Sequence, residues 1–179
     1  MKVRKHHFEV ICDNKSEILI LGSLPSIVSE QRNFYYAHSK NRFWKVIGIL
    51  FDEESLYEKS NDEKKQFMLE NHIALYDVIT ECSIKGSSDS SIDMKTVKPC
   101  DLNSILIKGN IKHIFLNGKM AYKIFENFFS EYLFLASYLP STSPANAKYS
   151  LNDLINESAR LQTSRLIFFC LESIGVQAG

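Results

Sequence analysis

Glu17-Ile18-Leu19-Ile20-Leu21-Gly22-Ser23-Leu24-Pro25-Ser26 is the stretch that decides the fold, because a short apolar run stops at a glycine and opens into a polar turn. A continuous apolar run of this length is typical of a strand that is buried on both faces of a parallel sheet. The sequence therefore predicts a core strand that ends at Gly22.

Three later segments have the same form. Residues 73–76, 113–116 and 132–138 are largely apolar, and they run into Asp77, Asn117 and Leu139 respectively. Each segment predicts a further core strand that is followed by a polar loop.

Between these strands the apolar residues recur with the period of a helix. Residues 43–51 and 120–129 carry them at the i, i+3, i+4 and i+7 positions, which predicts two amphipathic helices. Residues 166–171 are compatible with a helix or a strand. Helix caps are predicted at Ser60 with Glu63 for a helix over residues 64–71, at Asp101 for one through residue 107, and at Ser150 or Asn152 for one that starts near Leu151.

The alternation of strands and helices predicts an α/β fold, a three-layer α/β/α sandwich with a mostly parallel central sheet. With 179 residues the chain has the length of a single domain, over residues 1–179. Ligands of such sheets bind outside the carboxyl ends of the strands, so we expect the site at loops 22–26, 77–89, 117–119 and 139–147. The serine-rich stretch 83–91 is predicted to be a mobile loop.

Composition narrows the class of protein. Lys plus Arg and Asp plus Glu both number 21, so the formal net charge is zero. Any nucleic-acid partner must therefore be bound by a local patch of basic residues. The four cysteines, Cys12, Cys82, Cys100 and Cys170, form no close pair of the kind found in zinc sites, redox motifs or small disulfide scaffolds, which predicts free thiols. With no signal peptide and no bilayer-spanning apolar run, we expect no membrane association and a cytoplasmic location.

The loop after the first strand and the segment 34–45 carry the chemistry. Residues 22–26 lack both the lysine of a P-loop and the glycine spacing of a dinucleotide fingerprint. Residues 34–45 interleave aromatic rings with cations, a combination that can stack on an unpaired base and hold phosphates. The plainer interpretation places Phe43 and Trp44 in the core and Asn41 at the N-cap of the following helix. His38 has no visible metal partner.

The segment 139–147 has two prolines that bracket three hydroxyl side chains. A rigid turn explains the prolines. A stiff loop of small residues at the carboxyl edge of the sheet can also press a wedge into a DNA groove while its hydroxyls contact phosphates.

In this order, the motifs at residues 22–26, 35–44 and 139–146 resemble the DNA-deoxyinosine (hypoxanthine-DNA) glycosylase family of the uracil-DNA glycosylase superfamily. The similarity spans roughly residues 8–171. The segment 38–45 also resembles the mismatch-specific uracil glycosylases, so Tyr35-Tyr36 and the long proline-flanked loop carry the assignment to the branch.

The resemblance implies a monofunctional DNA glycosylase that works as a monomer without cofactor or metal. Its partner would be double-stranded DNA that contains a deaminated base, chiefly hypoxanthine, which is flipped out and released by hydrolysis of the N-glycosidic bond.

The resemblance also implies roles for individual residues. Leu24 stands where many branches have a polar catalytic side chain, and the family assigns that role to the position of Asn41, which would orient the attacking water. Leu139 likewise replaces a histidine or asparagine of several relatives. Base contacts are implied for Gly22, Ser23, Tyr36, Tyr76 and Asp77. DNA contacts are implied for Lys40, Arg42, Asn117, Lys119, Ser141, Thr142, Ser143 and Pro144.

Three alternatives stay open at the level of the sequence. They are a uracil or mismatch-specific glycosylase, a non-catalytic module that binds damaged DNA, and an α/β hydrolase that acts on free nucleosides. For any DNA-binding reading we expect a basic face that includes Lys40, Arg42, Lys45, Lys119 and Lys148.

Overall fold

The computed structural model describes residues 2–86 and 91–173, with side chains described to residue 164. The strands are β1 (Lys2–Lys5), β2 (Ile18–Gly22), β3 (Ile73–Asp77), β4 (Ile79–Ile84), β5 (Ile92–Pro99), β6 (His113–Asn117) and β7 (Ala136–Leu139). The α-helices are α1 (Ile27–Arg32), α2 (Phe43–Leu50), α3 (Asn61–Glu70), α4 (Leu102–Lys108), α5 (Lys119–Phe128) and α6 (Leu151–Ser173), and 3-10 helices cover Glu54–Glu58 and Ser130–Leu135.

The central sheet has four parallel strands in the order β3-β2-β6-β7. All five residues of β2 are buried, as the continuous apolar run predicts. Gly22 pairs with Asp77, and Asn117 pairs with Leu139, so the polar residues that follow the strands meet at one edge of the sheet.

Both faces of this sheet are covered. Ile18 and Ile20 pack on one face with residues of α2, α3 and α6. Leu19 and Leu21 pack on the other face with residues of α4, α5, β4 and β5. The predicted α/β/α sandwich with a mostly parallel sheet is confirmed, although strands share the second outer layer with helices.

The antiparallel sheet in that layer, of order β1-β4-β5, was not expected from the sequence. The prediction of a loop over residues 77–89 is wrong because Ile79, Cys82 and Ile84 are buried against the second core, which makes this stretch a strand. The serine-rich stretch 83–91 likewise includes the end of β4, while residues 87–90 of that predicted mobile loop lie outside the described residues.

The segment 132–138 is a strand only in part. A 3-10 helix runs to Leu135, and β7 consists of the four residues Ala136–Leu139, which pair with β6. Phe134 is 79% exposed, so the apolar residues of this segment do not all serve the core. The ambiguous residues 166–171 lie within helix α6.

The helix caps follow the sequence closely. Ser60 and Glu63 form the predicted capping box, and α3 starts directly after Ser60 rather than at residue 64. Asp101 accepts the Ser104 N–H at the start of α4, and Ser150 accepts the Asp153 N–H at the start of α6.

Cys12, Cys82 and Cys100 are buried and, as predicted, none of these three is in a disulfide, while Cys170 lies outside the described side chains. Within the part of the chain that the structure describes, no helix is both long enough and apolar enough to cross a bilayer.

Candidate active site

A cleft of about 650 Å³ opens where the parallel strands end. Each strand of the central sheet delivers part of its lining: Gly22 ends β2, Asp77 ends β3, Asn117 ends β6, and Ser141 and Ser143 follow β7. A cleft of this size falls within the range of small-molecule sites, roughly 300–1,000 Å³. The predicted loops 22–26, 117–119 and 139–147 therefore converge on one concave site, together with Asp77 at the end of β3.

The floor of the cleft is a close approach between Gly22 and Asp77. A Cβ atom at Gly22 would lie within 3 Å of Asp77 Oδ1 and 2.8 Å from the Tyr36 hydroxyl oxygen. A side chain at position 22 would thus displace both groups. The missing side chain lets a carboxylate that is only 4% exposed and a phenol hydroxyl meet at the end of β2.

His6 holds this carboxylate from behind. Its side chain is fully buried, and Nε2 lies 3.0 Å from Asp77 Oδ2. The Nδ1 atom accepts the backbone N–H of Phe8 at 3.2 Å, so the imidazole proton resides on Nε2, which donates to the carboxylate. No local sequence pattern indicates this pair, because its members are 71 positions apart.

The same N-terminal segment supports the neighbouring loop. The buried Arg4 donates to the carbonyl oxygen of Pro25 and, at 2.7 Å, to Glu30 Oε1. Pro25 belongs to the loop that lines the cleft, and Glu30 lies in α1, whose N-cap is Ser26. The N-terminal residues therefore stabilise two walls of the cleft.

Tyr36 forms an aromatic wall. Its backbone has φ of 52°, a left-handed conformation that is unusual for a bulky residue, and its ring stacks on Phe43 with centroids 3.9 Å apart and an interplanar angle of 15°. The preceding Tyr35 points into the core, where its hydroxyl donates to the Glu9 carbonyl at 2.9 Å. Burial raises the pKa of Tyr35, which keeps this donor protonated.

Asn41 lines the cleft at the start of α2. The N-cap residue of that helix is Arg42, so the prediction of Asn41 as the N-cap is wrong by one position. Its Oδ1 atom nevertheless accepts the Phe43 N–H at 3.0 Å, which fixes the amide plane. A carbonyl oxygen has two lone pairs, so Oδ1 keeps an acceptor site for a further hydrogen bond.

Arg42 organises the loop that follows β7. Its guanidinium donates to the carbonyl oxygens of Ser143 at 2.8 Å and Asn146 at 3.0 Å, and also to those of Thr142 and Tyr149. These bonds reach across about 100 positions of sequence and turn the guanidinium toward the protein backbone. The carbonyl oxygens of the loop therefore occupy the Arg42 guanidinium, which the resemblance implies as a DNA contact.

Asn117 and Thr142 form a reciprocal buried pair. Thr142 N–H donates to Asn117 Oδ1, and Asn117 Nδ2 donates to Thr142 Oγ1, both at 3.2 Å. The pair joins the end of β6 to the loop after β7. Asn117 also lines the cleft, whereas Thr142 does not.

The site residues implied by the sequence fall into two groups. The cleft brings together Gly22, Ser23, Tyr36, Asn41, Asp77, Asn117, Lys119, Ser141 and Ser143. Its lining does not include Lys40, Arg42, Tyr76, Thr142 or Pro144. Tyr76 packs instead on His6, with ring centroids 4.5 Å apart, and therefore lies behind the carboxylate wall.

Two exposed lysines stand at the cleft. Lys119 and Lys148 both belong to its lining, and Lys148 Nζ lies 5.7 Å from the centroid of the Tyr149 ring. Lys45 lies elsewhere, with its ammonium group 4.7 Å from the centroid of the Tyr57 ring. Of the five basic residues that we expect on one face, Lys119 and Lys148 are the two that line the cleft.

Comparison with known proteins agrees with this geometry. The family model of the uracil DNA glycosylase superfamily matches residues 8–163. The chain belongs to this superfamily. The resemblance given by the three motifs is therefore confirmed, and the family model covers every loop that lines the cleft.

Two relatives are named hypoxanthine DNA glycosylase. The protein from Methanosarcina acetivorans is 33% identical over 149 residues, which cover 83% of this chain and 92% of the relative. The protein from Methanosarcina barkeri is 31% identical over 117 residues, covering 65% and 73%. The solution NMR structure of a candidate uracil DNA glycosylase from Methanosarcina acetivorans superposes with a TM-score of 0.76 at 30% identity, over 90% of this chain and 98% of that one.

Proposed function

We propose that the protein excises hypoxanthine from double-stranded DNA that contains deoxyinosine, by hydrolysis of the N-glycosidic bond. The observation that carries the proposal is the convergence of Asp77, Tyr36 and Asn41 in one cleft at the carboxyl edge of the sheet. An acceptor for a ring N–H and a flat aromatic surface suit the recognition of a flipped base, and an oriented amide can position the attacking water. Two relatives that bear the name hypoxanthine DNA glycosylase support the choice of base.

The floor of the cleft suits the edge of hypoxanthine. The ring presents an N1–H donor beside the O6 acceptor, and the carboxylate of Asp77 is an acceptor for the former. Because Gly22 has no side chain, the edge of the base can come close to the backbone at the end of β2. Ser23 lies next along the lining, and Tyr36 stacks on the face of the base.

Asn41 positions water in this proposal. As the bond between C1′ and N9 breaks, its electron pair leaves with the base and positive charge develops on the sugar. Water then forms a bond to C1′ and loses a proton to solvent, while the departing base takes up a proton. A neutral amide is a weak base, so Asn41 contributes orientation through Oδ1, whose direction is fixed by the Phe43 N–H.

Contacts with the DNA backbone come from the rim of the cleft. Lys119 and Lys148 hold phosphates on either side of the flipped nucleotide, and Ser141, Ser143 and Pro144 approach the groove. Lys40, which directly precedes Asn41 in the chain, is exposed and adds a further cation. In this proposal Arg42 acts by holding the loop in shape, and the protein works as a monomer on genomic DNA inside the cell.

A panel of duplexes tests the proposal. The wild-type protein is incubated with otherwise identical duplexes that contain hypoxanthine, uracil, xanthine or adenine at one position, and abasic sites are revealed by alkaline cleavage. We expect the fastest release from the hypoxanthine duplex and none from the adenine duplex, which serves as the control.

Other outcomes would assign the protein elsewhere. Faster release of uracil would favour a uracil or mismatch-specific glycosylase. Salt-dependent binding without base release from any duplex would favour a non-catalytic damage-binding module. Release of base from free inosine, with no action on DNA, would indicate a nucleoside hydrolase.

A further inference from the structure

We propose that His6 is a positioning residue that makes the cleft selective for bases with an N–H on the ring edge that faces Asp77. The inference rests on the proposed excision function and adds to it the device that separates hypoxanthine from adenine. His6 lies outside residues 8–163, the span that the family model matches.

The geometry holds the carboxylate in one orientation. The His6 side chain is 0% exposed and that of Asp77 is 6% exposed, so water does not compete for their hydrogen bond of 3.0 Å. The Phe8 N–H occupies Nδ1 and leaves Nε2 as the donor. Three aromatic rings, those of Phe8, Tyr35 and Tyr76, pack around the imidazole and prevent it from turning.

This arrangement divides the two oxygens of Asp77 between two tasks. Oδ2 is taken by His6, while Oδ1 points to the space beside Gly22 that the base edge would enter. A carboxylate fixed in this way presents an acceptor and no donor. The cleft therefore favours a base whose facing nitrogen carries hydrogen.

Deamination changes that nitrogen. Adenine has a bare N1, which is an acceptor, whereas hypoxanthine has N1–H, which is a donor; cytosine and uracil differ in the same way at N3. An acceptor that faces Asp77 Oδ1 is repelled, and a donor forms a charge-assisted hydrogen bond. Guanine also carries N1–H, so this contact separates hypoxanthine from adenine and leaves guanine to be rejected elsewhere in the cleft.

His6→Phe tests the proposal because it removes the Nε2 donor and keeps an aromatic ring among the rings of Phe8, Tyr35 and Tyr76. Without the Nε2 donor the Asp77 carboxylate is free to rotate. We expect the preference for the hypoxanthine duplex over the adenine duplex, measured as a ratio of dissociation constants, to fall by roughly 10- to 100-fold. His7→Phe is the matched control, because His7 is the exposed neighbour, and should leave the preference unchanged.

His6→Gln separates positioning from support of the fold. A glutamine amide can reach Asp77 Oδ2 in place of the imidazole Nε2–H, so we expect it to restore much of the preference. Asp77→Asn completes a double-mutant cycle with His6→Phe, and the double variant should discriminate no worse than Asp77→Asn alone, because His6 acts through Asp77. Additive losses in the cycle, or a His6→Phe variant that keeps the wild-type preference, would overturn the proposal.

The binding ratio keeps this inference distinct from the proposed function. A wild-type protein that releases no base but binds the hypoxanthine duplex preferentially, with the preference lost in His6→Phe, would refute the excision function and uphold the role of His6. If the wild-type protein excises hypoxanthine and the His6→Phe variant keeps the same preference, the excision function is upheld and the role of His6 is refuted. A wild-type protein with neither excision nor preference would overturn both.

Discussion

Replacing Gly22 by alanine is expected to abolish most of the excision activity through a displacement that the structure defines. The new Cβ would lie 2.8 Å from the Tyr36 hydroxyl oxygen and still closer to Asp77 Oδ1, whereas ordinary contacts begin at 3.4 Å. The phenol oxygen must therefore move by about 0.6 Å, and the carboxylate oxygen by about 1 Å. His6 opposes the second movement because it holds the other oxygen of Asp77 at 3.0 Å.

A misplacement of about 1 Å in a reacting site costs on the order of 100-fold in rate, and overpacking of this kind costs about 1–3 kcal/mol of stability. The assay is single-turnover release of hypoxanthine from a duplex, with enzyme in excess, together with a thermal melt. At a temperature below the melting temperature of the variant, we expect its rate to be about 100-fold lower than that of the wild type. This loss of rate should be larger than the fraction of unfolded variant, taken from the thermal melt, can explain.

Gly48→Ala is the matched control. An added Cβ at Gly48 would come within 3 Å of the Glu53 carbonyl oxygen, so this variant is also overpacked, but Gly48 lies inside α2 and not in the lining of the cleft. We expect a similar loss of stability with a rate near that of the wild type. A Gly22→Ala variant that releases hypoxanthine at the wild-type rate would refute the assigned geometry of Asp77 and Tyr36.

Three further predictions concern side chains that support the fold. Arg42→Lys should lower DNA affinity and destabilise the fold by about 2 kcal/mol, because one ammonium group cannot serve four carbonyl oxygens; filter binding and urea unfolding check this, and an unchanged affinity would contradict it. Thr142→Val should cost about 1–3 kcal/mol because Asn117 Nδ2 loses its buried acceptor, and a urea midpoint equal to that of the wild type would show that the pair contributes nothing. Burial and the nearby Arg160 lower the pKa of His113 below its ordinary value of 6.5, so the unfolded chain binds the proton more readily and stability should fall as pH drops below 6.5. His113→Gln should flatten the slope of unfolding free energy between pH 6.5 and 5.5, and an identical slope in the variant would contradict this.

Much of the fold follows from local sequence signals. The strands at residues 18–22, 73–77 and 113–117 are short apolar runs with a polar residue or glycine at the end, and the capping box at Ser60 depends on residues three apart. The convergence of Gly22, Asp77 and Asn117 was predictable as well, because the carboxyl ends of parallel strands lie at one edge of a sheet.

The antiparallel sheet lacked such signals. The burial of β4 does not alternate regularly, and its pairing with β5 has register shifts, so the period of two that marks a strand is broken. Its other partner, β1, is almost eighty positions earlier, at Lys2–Lys5. Pairing at that distance is decided by packing and not by local preference.

The residues that support the site could not be predicted for the same reason, since their partners are distant in the sequence. His6 reaches Asp77 across 71 positions, and Arg42 reaches Asn146 across 104. Nothing next to His6 or Arg42 in the chain indicates a buried carboxylate or a set of carbonyl oxygens as partner. Residue type identified the groups that line the cleft, while only the fold identified the groups that hold them in place.

The most direct test of the central claim, hydrolytic excision of hypoxanthine with Asn41 as the water-positioning residue, is the single-turnover rate of Asn41→Ala. The substitution also removes the acceptor of the Phe43 N–H, so Ser60→Ala, which removes the cap of α3 away from the cleft at a similar cost of about 1 kcal/mol, is the control. We expect Asn41→Ala to lose about 100-fold in rate while binding the hypoxanthine duplex as the wild type does, and Ser60→Ala to keep the wild-type rate. A folded Asn41→Ala variant that releases hypoxanthine at the wild-type rate would contradict the claim.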